Sequence, residues 1–115
     1  MGHKFHACSC EEDGFKFPSK LERDTYSQLK RLHDKGVITN LFLQHTFQLK
    51  SNSGKVIGKY VADFVCVLPS GEKIVIESKG VATAVWRRTR KHFIADFPEY
   101  RLIEVRDHSQ FPLEF

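Results

Sequence analysis

The sequence has no apolar run that approaches the ~20 residues needed to span a bilayer as a helix, so we expect no membrane partner. Its first ten residues, MGHKFHACSC, also lack the apolar core of a secretory signal. Cysteine is scarce, and three residues without a disulfide pattern favour a reducing, cytoplasmic setting. No internal repeat, low-complexity tract or linker divides the chain, and residues 1–115 are therefore predicted to form a single domain.

What the chain does contain is a large apolar fraction and an excess of basic residues. Hydrophobic residues make up 41% of the sequence, and ten phenylalanines supply a single core with large apolar groups. The formal net charge of +4 fits a protein that binds a polyanion. Because many basic proteins bind no nucleic acid, charge alone does not decide the function.

Residues 60–80, YVADFVCVLPSGEKIVIESKG, are typical of two β-strands joined by a tight turn. If the hairpin is centred on Ser70, Asp63 faces Glu77, and side-chain alternation puts Lys79 on the same face. Like charges set directly opposite one another destabilise a hairpin, so the two carboxylates need a compensating cation. The lysine is one such cation, and a divalent metal is another.

This acidic pair has two interpretations. In the first, Asp63 and Glu77 are solvated on the wet face of an antiparallel sheet and pair with Lys79. In the second, they are buried, and buried charges are usually paired or bind metal. The second is favoured because the same face is predicted to carry Val61, Val65, Val67 and Val75.

A helix is predicted over residues 19–35, with Ser19 as its N-cap and Gly36 as its stop signal. Glu22 falls inside the apolar stripe of this helix, which is unusual for an acid. Either Glu22 completes a capping box by bonding back to the Ser19 backbone N–H, or it points across the core towards the carboxylates of the hairpin. The sequence favours neither alternative.

Between this helix and the hairpin, residues 37–50 alternate apolar and polar side chains and predict a half-buried strand. Residues 51–54, SNSG, predict a turn, so the middle of the chain should form a three-stranded antiparallel meander. On this prediction, one face of the first strand carries Leu41, Leu43, His45, Phe47 and Leu49.

A second helix is predicted over residues 83–97, with Trp86, Phe93 and Phe97 facing the sheet. Residues 100–105 then predict a fourth strand, which can run parallel to a neighbour because a helix precedes it. The rest of the helix surface is basic, which suits a phosphate backbone, although a solvated helix face has the same pattern. The basic residues are Arg87, Arg88, Arg90, Lys91 and His92.

The two ends of the chain give weaker signals. Residues 1–16 predict a flexible arm, and residues 106–115 a short tail. The side chains of His3, His6, Cys8 and Cys10 are of the types that bind zinc, but their spacing matches no standard zinc pattern.

The spacing Asp63-x(13)-Glu77-Ser78-Lys79 resembles the signature of the PD-(D/E)xK nuclease superfamily, with Ala62 where the motif has a loosely kept proline. The segments SKLE, ADF and IESKG are similar to segments of the phage endonuclease I family of Holliday junction resolvases. A small phage-encoded family of unassigned function carries D-G-x-x-F-x-S-x-x-E, a pattern found here at residues 13–22. The likeness covers roughly residues 4–105.

The resemblance implies an α/β fold of restriction-endonuclease type, with an αβββαβ core and a central mixed four-stranded sheet flanked by helices. It implies that Asp63, Glu77 and the main-chain carbonyl of Ser78 hold Mg²⁺ or Mn²⁺, with Glu22 completing the shell or holding a second metal. Lys79 would orient or deprotonate the attacking water and offset charge on the pentavalent phosphorus.

The function implied is a metal-dependent DNA endonuclease that acts on branched DNA as a homodimer, in the host cytoplasm if the chain is phage-encoded. A two-fold dimer would supply the two active sites that a four-way junction needs. Arg87, Arg88, Arg90 and Lys91 would contact the DNA backbone. Three alternatives stay open: a nicking, packaging or transposon-end nuclease, a non-catalytic nucleic-acid-binding module, and a ribonuclease.

Overall fold

The computed structural model describes residues 10–115. Its helices are α1 (Lys20–Asp34) and α2 (Ala84–Asp96). Its strands are β1 (Cys10–Glu12), β2 (Phe15–Phe17), β3 (Asn40–Lys50), β4 (Val56–Val67), β5 (Lys73–Ser78) and β6 (Tyr100–Val105). A short 3₁₀ helix, His108–Gln110, follows β6. Within residues 10–115, neither helix is long and apolar enough to cross a bilayer.

Four of the strands form one mixed sheet in the order β3-β4-β5-β6. β3, β4 and β5 are an antiparallel meander, and β6 returns parallel to β5 after α2. The pairs Val65–Val75 and Val67–Lys73 confirm the register predicted about Ser70. The predicted α/β class, with a central mixed four-stranded sheet and the element order αβββαβ, is therefore confirmed.

Both helices begin and end where local signals predict. The Ser19 hydroxyl accepts the Glu22 backbone N–H at 3.1 Å, and the Thr83 hydroxyl accepts that of Trp86 at 3.1 Å. These bonds satisfy N–H groups that a helix start leaves without an intrahelical partner. α1 is terminated by Gly36, whose φ of +79° suits glycine because it lacks a Cβ.

The two helices cover opposite faces of the sheet. The α1 side holds the buried residues Phe17, Tyr26, Leu29, Ile38, Phe64, Cys66, Ile74, Ile76, Val105 and Leu113. The α2 side holds the buried residues Phe47, Leu49, Tyr60, Ala62, Val65, Val75, Trp86 and Phe93. Phe97 packs against the second cluster, so all three aromatic contacts predicted for α2 are confirmed.

The β3–β4 pair is interrupted in its middle. Leu43 pairs with Phe64 and His45 pairs with Ala62, while Gln44 and Asp63 between them leave the ladder. Gln44 has a φ of +53°, in the left-handed region that residues other than glycine rarely adopt. The interruption therefore affects both strands at the same level, at Gln44 in β3 and at Asp63 in β4.

At this interruption both strands exchange their faces. Leu43 and Phe64 pack on the α1 side, whereas Phe47 and Tyr60 pack on the α2 side. In each strand the two residues are four positions apart, and regular alternation would put them on the same face. The prediction that Leu41, Leu43, His45, Phe47 and Leu49 share one face is therefore wrong. For the same reason Val61, predicted on the buried face, is 38% exposed.

Residues 10–17 and the segment after β6 form more structure than predicted. Residues 10–17 form an antiparallel hairpin whose turn, Asp13-Gly14, has two positive φ angles of +53° and +83°. The Asp13 carboxylate accepts the Tyr26 hydroxyl at 2.8 Å, and Phe17 is buried. At the other end, Leu113 is buried against the α1 side. The prediction of a flexible arm is therefore wrong for residues 10–16, and residues 1–9 lie outside the described part.

Candidate active site

The three predicted acids come from three different elements. Glu22 lies in the first turn of α1, Asp63 at the interruption of β4, and Glu77 near the end of β5. The β4–β5 ladder ends at Phe64–Ile76, so Asp63 and Glu77 lie one step beyond it rather than as a ladder pair. Asp63 Oδ2 instead accepts the Ser78 backbone N–H at 2.8 Å, which holds the two strand ends together.

Glu77 is only 5% exposed, and each of its oxygens faces a donor. The Tyr60 hydroxyl donates to Oε1 at 2.6 Å, and Lys79 Nζ lies 3.4 Å from Oε2. Burial and the Glu77 charge raise the pKa of Tyr60 well above its usual range, so the phenol remains a donor. The wet-face interpretation of the acidic pair is therefore wrong for Glu77.

Lys79 is held between this carboxylate and an aromatic ring. Its Nζ lies 5.5 Å from the centre of the Trp86 ring, within the range of a cation–π contact. The Trp86 Nε1–H donates to Glu104 at 2.8 Å, which fixes the ring on the sheet. Lys79 keeps 35% of its side chain exposed and remains accessible from solvent.

Glu22 points into the core side of α1. Its carboxylate is 5% exposed and accepts the Gln44 side-chain amide at 3.2 Å. Burial raises its pKa, and the nearby Glu77 charge raises it further. The Ser19 hydroxyl accepts the Glu22 backbone N–H. Within the described residues, the Glu22 carboxylate does not accept the Ser19 backbone N–H in return, so only half of the predicted capping box forms. The structure supports the alternative in which Glu22 faces the other acids.

The pKa of Asp63 is shifted as well, in the same direction as that of Glu22. Burial raises its pKa to about 8, and the charges of Glu77 and then Glu22 act in the same direction. The Ser78 N–H and Lys79 oppose this rise without cancelling it. The structure therefore brings all four predicted residues into one electrostatic cluster, in which three acids face a single lysine.

A cleft of about 580 Å³ opens onto this cluster. Glu22 and Asp63 line it together with Leu43 and Gln44. The β1–β2 hairpin forms another wall through Phe15, Lys16 and Phe17, and Pro18 after it also lines the cleft. Sequence reasoning missed this wall, although Asp13-Gly14 is a strong signal for a two-residue hairpin turn. It also missed Gln44, which no sequence signal distinguishes from its neighbours.

The donor set fits a hard divalent cation such as Mg²⁺ or Mn²⁺. Among residues 10–115, no three His, Cys, Asp or Glu side chains form a ready-made metal cage. Magnesium does not require one, because it commonly takes one or two carboxylates and completes its shell with water and substrate phosphate oxygens. Glu22 and Asp63 offer such oxygens at the cleft, and a bound cation would stabilise their ionised forms, which burial and mutual repulsion disfavour.

The four residues with zinc-binding side chains near the N-terminus lie mostly outside the described part of the chain. His3, His6 and Cys8 lie outside the described residues, and Cys10 is partly buried at the start of β1.

The basic face of α2 divides into two parts. Arg88 and Lys91 are exposed, and Arg87 is exposed while donating to the Ala82 carbonyl at 2.8 Å. Arg90 lies 3.4 Å from Glu104, the same acid that holds Trp86. Arg90 therefore helps to hold the acid that positions Trp86 beside Lys79. Contact of Arg87, Arg88, Arg90 and Lys91 with DNA stays a prediction.

The family described as "Protein of unknown function (DUF1064)" matches residues 2–110. This span includes the three acids, Lys79 and the basic face of α2. No curated protein and no solved structure matches the chain.

Proposed function

The chain belongs to the DUF1064 family, and from its site we propose that it is a divalent-metal-dependent endonuclease that hydrolyses phosphodiester bonds in DNA. One observation carries the proposal: Glu22, Asp63 and Glu77 are collected around Lys79 at the edge of an open cleft. When all three acids are ionised, their charge exceeds that of the one lysine, and a divalent cation would offset the difference. The resemblance of D…ExK to the PD-(D/E)xK signature supports the same chemistry.

The resemblance implies the metal-binding roles of these residues. Asp63 and Glu77 would hold Mg²⁺ or Mn²⁺ with the Ser78 carbonyl, and Glu22 would complete the shell or hold a second ion. A divalent cation bound there would supply an activated water and charge stabilisation for the entering and leaving oxygens. Tyr60 fixes Glu77 through its 2.6 Å hydrogen bond, so this ligand is oriented before substrate arrives.

Lys79 is the residue proposed to handle the proton and charge of the reaction. Its partly exposed ammonium lies beside Glu77, where it can orient the attacking water and offset charge on the phosphorus. The raised pKa of Asp63 keeps a proton within the acidic cluster near neutral pH. Loss of that proton makes the Asp63 carboxylate available as a ligand.

The proposed substrate is duplex DNA, with branched DNA as the preferred form. Arg88 and Lys91, exposed on α2, would contact phosphates, with Arg87 beside them. One site cuts one strand, so a four-way junction requires a dimer with two sites. By the resemblance, the products would carry 5′-phosphate and 3′-hydroxyl ends.

The test is cleavage of labelled DNA by the purified protein. A four-way junction, a linear duplex and a single strand are each incubated with Mg²⁺, Mn²⁺ or EDTA. We expect cleavage with either metal, fastest on the junction, and none with EDTA. Lys79→Ala should lose ~10²–10⁴-fold in rate with an unchanged dissociation constant for DNA, because it removes a positioned proton-transfer group.

Lys35→Ala, at the exposed end of α1, serves as the matched control and should cleave like the wild type. Asp63→Asn should fail for another reason, loss of a metal ligand, and excess metal should partly restore it but not Lys79→Ala. Tight binding of the junction without cleavage in either metal would instead assign the chain to non-catalytic binding modules.

A further inference from the structure

Beyond Gln44 and Asp63, β3 and β4 continue as a two-stranded extension, residues 45–62, which we call the arm. β5 pairs with β4 only from Phe64 onward, so β3 and β4 alone form the sheet of the arm. One face of the arm packs on α2 through Phe47 and Tyr60. The Lys50 backbone N–H also donates to Asp96 of α2 at 2.7 Å, which anchors the arm near its tip.

The opposite face of the arm is uncovered. Side-chain alternation from the buried pair Phe47–Tyr60 puts the pairs Thr46–Val61 and Gln48–Lys59 on this outer face. All four of these side chains are exposed.

The outer face begins where the acidic cleft ends. Gln44 and Asp63 line the cleft, and Thr46 and Val61 follow them on the same two strands. A polymer lying along the arm would therefore reach the acids. This continuity gives the outer face a direct relation to the candidate site.

The arm is also basic without any acid of its own. No aspartate or glutamate occurs in residues 35–62, although the chain has 14 acids in 115 residues. Lys50, Lys55 and Lys59 are exposed, and none of them forms an ion pair within the described residues. Unpaired lysines beside a cleft lined by acids provide the charge separation that a polyanionic substrate of this site requires.

We propose that the outer face of the arm binds duplex DNA and leads its backbone into the acidic cleft, an assignment whose choice of DNA rests on the proposed function. Lys55 and Lys59 contact phosphates, and Thr46 and Gln48 supply neutral hydrogen-bonding groups. The major groove of B-DNA admits a two-stranded ribbon, which is the shape of the arm. Val61 and Ile57, 38% and 59% exposed, provide apolar contact.

A second copy of the chain fits this face less well. A two-fold contact between two arms would bring like-charged lysines from both copies together at one interface. The arm offers no acid to offset them, because residues 35–62 contain none. Charge complementarity therefore favours DNA over self-association.

The experiment compares two double variants with equal charge change. Lys55→Gln with Lys59→Gln alters the arm, and Arg31→Gln with Lys35→Gln alters the exposed end of α1. Binding to a labelled duplex is measured by fluorescence anisotropy in EDTA over a series of salt concentrations. The arm variant should lower the slope of log K against log salt by about 0.9 per lost contact, and the α1 variant should leave it unchanged.

Lys55→Arg with Lys59→Arg should restore the wild-type slope, and thermal unfolding checks that every variant folds. An unchanged slope in the arm variant, or an equal loss in both Gln variants, would overturn the inference. Loss of self-association without a change in slope, seen by sedimentation, would assign the face to a second copy. Cleavage of DNA with Mg²⁺ is measured separately. Binding that depends on the arm, without cleavage, would contradict only the proposed function. Cleavage by the wild type, together with an unchanged salt slope in the arm variant, would contradict only this inference.

Discussion

The two halves of the β3–β4 ribbon differ in which helix covers them and in the charge of their surfaces, although the same two strands form both. The inner half pairs residues 40–43 with residues 64–67 and is covered by α1 on one face. The outer half, the arm, is covered by α2 on one face and is open on the other. The candidate site lies at the junction, between a buried environment that raises acid pKa values and a basic surface open to a polyanion.

The junction itself explains how Asp63 becomes available. A residue inside a regular ladder points its side chain straight to one face, and its neighbours alternate. At the interruption Asp63 leaves this pattern, and its carboxylate accepts the N–H of Ser78 from the next strand. The break in the ladder therefore brings the acid towards Glu77 and Lys79, which lie one residue before and one residue after Ser78.

The largest expected contrast is in stability. Phe64→Ala removes a fully buried ring from the inner half and should cost about 3–5 kcal/mol of unfolding free energy. Val61→Ala, three residues away on the open face of the arm, should cost less than about 1 kcal/mol. Urea unfolding of both variants measures the difference. Similar losses would show that the arm face is covered in solution.

The second contrast is in pH dependence. The native pKa of Asp63 is raised to about 8 from an ordinary value of 3.8, so the folded state binds this proton more tightly than the unfolded state. Its contribution to stability is therefore fully present below pH 4 and is lost as the pH rises to about 8. Asp63→Asn removes this dependence and should stabilise the protein at pH 8 by on the order of 2–4 kcal/mol, with little effect at pH 4.

Thermal unfolding in EDTA at the two pH values measures this effect. Asp34→Asn, an exposed acid at the end of α1, is the control and should leave the pH profile unchanged. An Asp63→Asn protein with the same pH profile as the wild type would mean that the carboxylate is solvated in both states.

Local signals explain why much of this architecture was predictable from the sequence. Ser19 and Thr83 are good N-caps, and Gly36 and Pro98 stop the helices. The short turn at Ser70 fixes the β4–β5 register, which in turn brings the acids of D…ExK to one end of the pair. These features depend on neighbours in sequence, so periodicity and turn chemistry are sufficient.

The exchange of faces was not predictable, because alternation continues unchanged through LFLQHTFQL. Nothing in that pattern indicates a positive φ at Gln44, whose side chain donates a hydrogen bond to Glu22 of α1. The exposure of Val61 follows from the same event. The β1–β2 hairpin was missed for a different reason: its strands have three residues each, too few for a period to show.

The smallest contrast concerns the backbone at two glutamines of β3. Gln44 has a φ of +53°, whereas Gln48 lies in regular, paired strand, and both are exposed. Each is replaced by Gly and by Ala, and the free energy of unfolding is compared within each pair. Both replacements at position 44 lose the hydrogen bond to Glu22, so this loss cancels in the comparison.

At position 44, Gly should be more stable than Ala by about 1 kcal/mol, because only Gly adopts a left-handed φ without steric cost. At position 48, Ala should be more stable than Gly by about 0.5–1 kcal/mol, because Gly loses more backbone entropy in a strand. The sign of the Gly–Ala difference therefore reverses within four residues of one strand. The same sign at both positions would mean that Gln44 adopts an ordinary strand conformation in solution, and the exchange of faces would then need another cause.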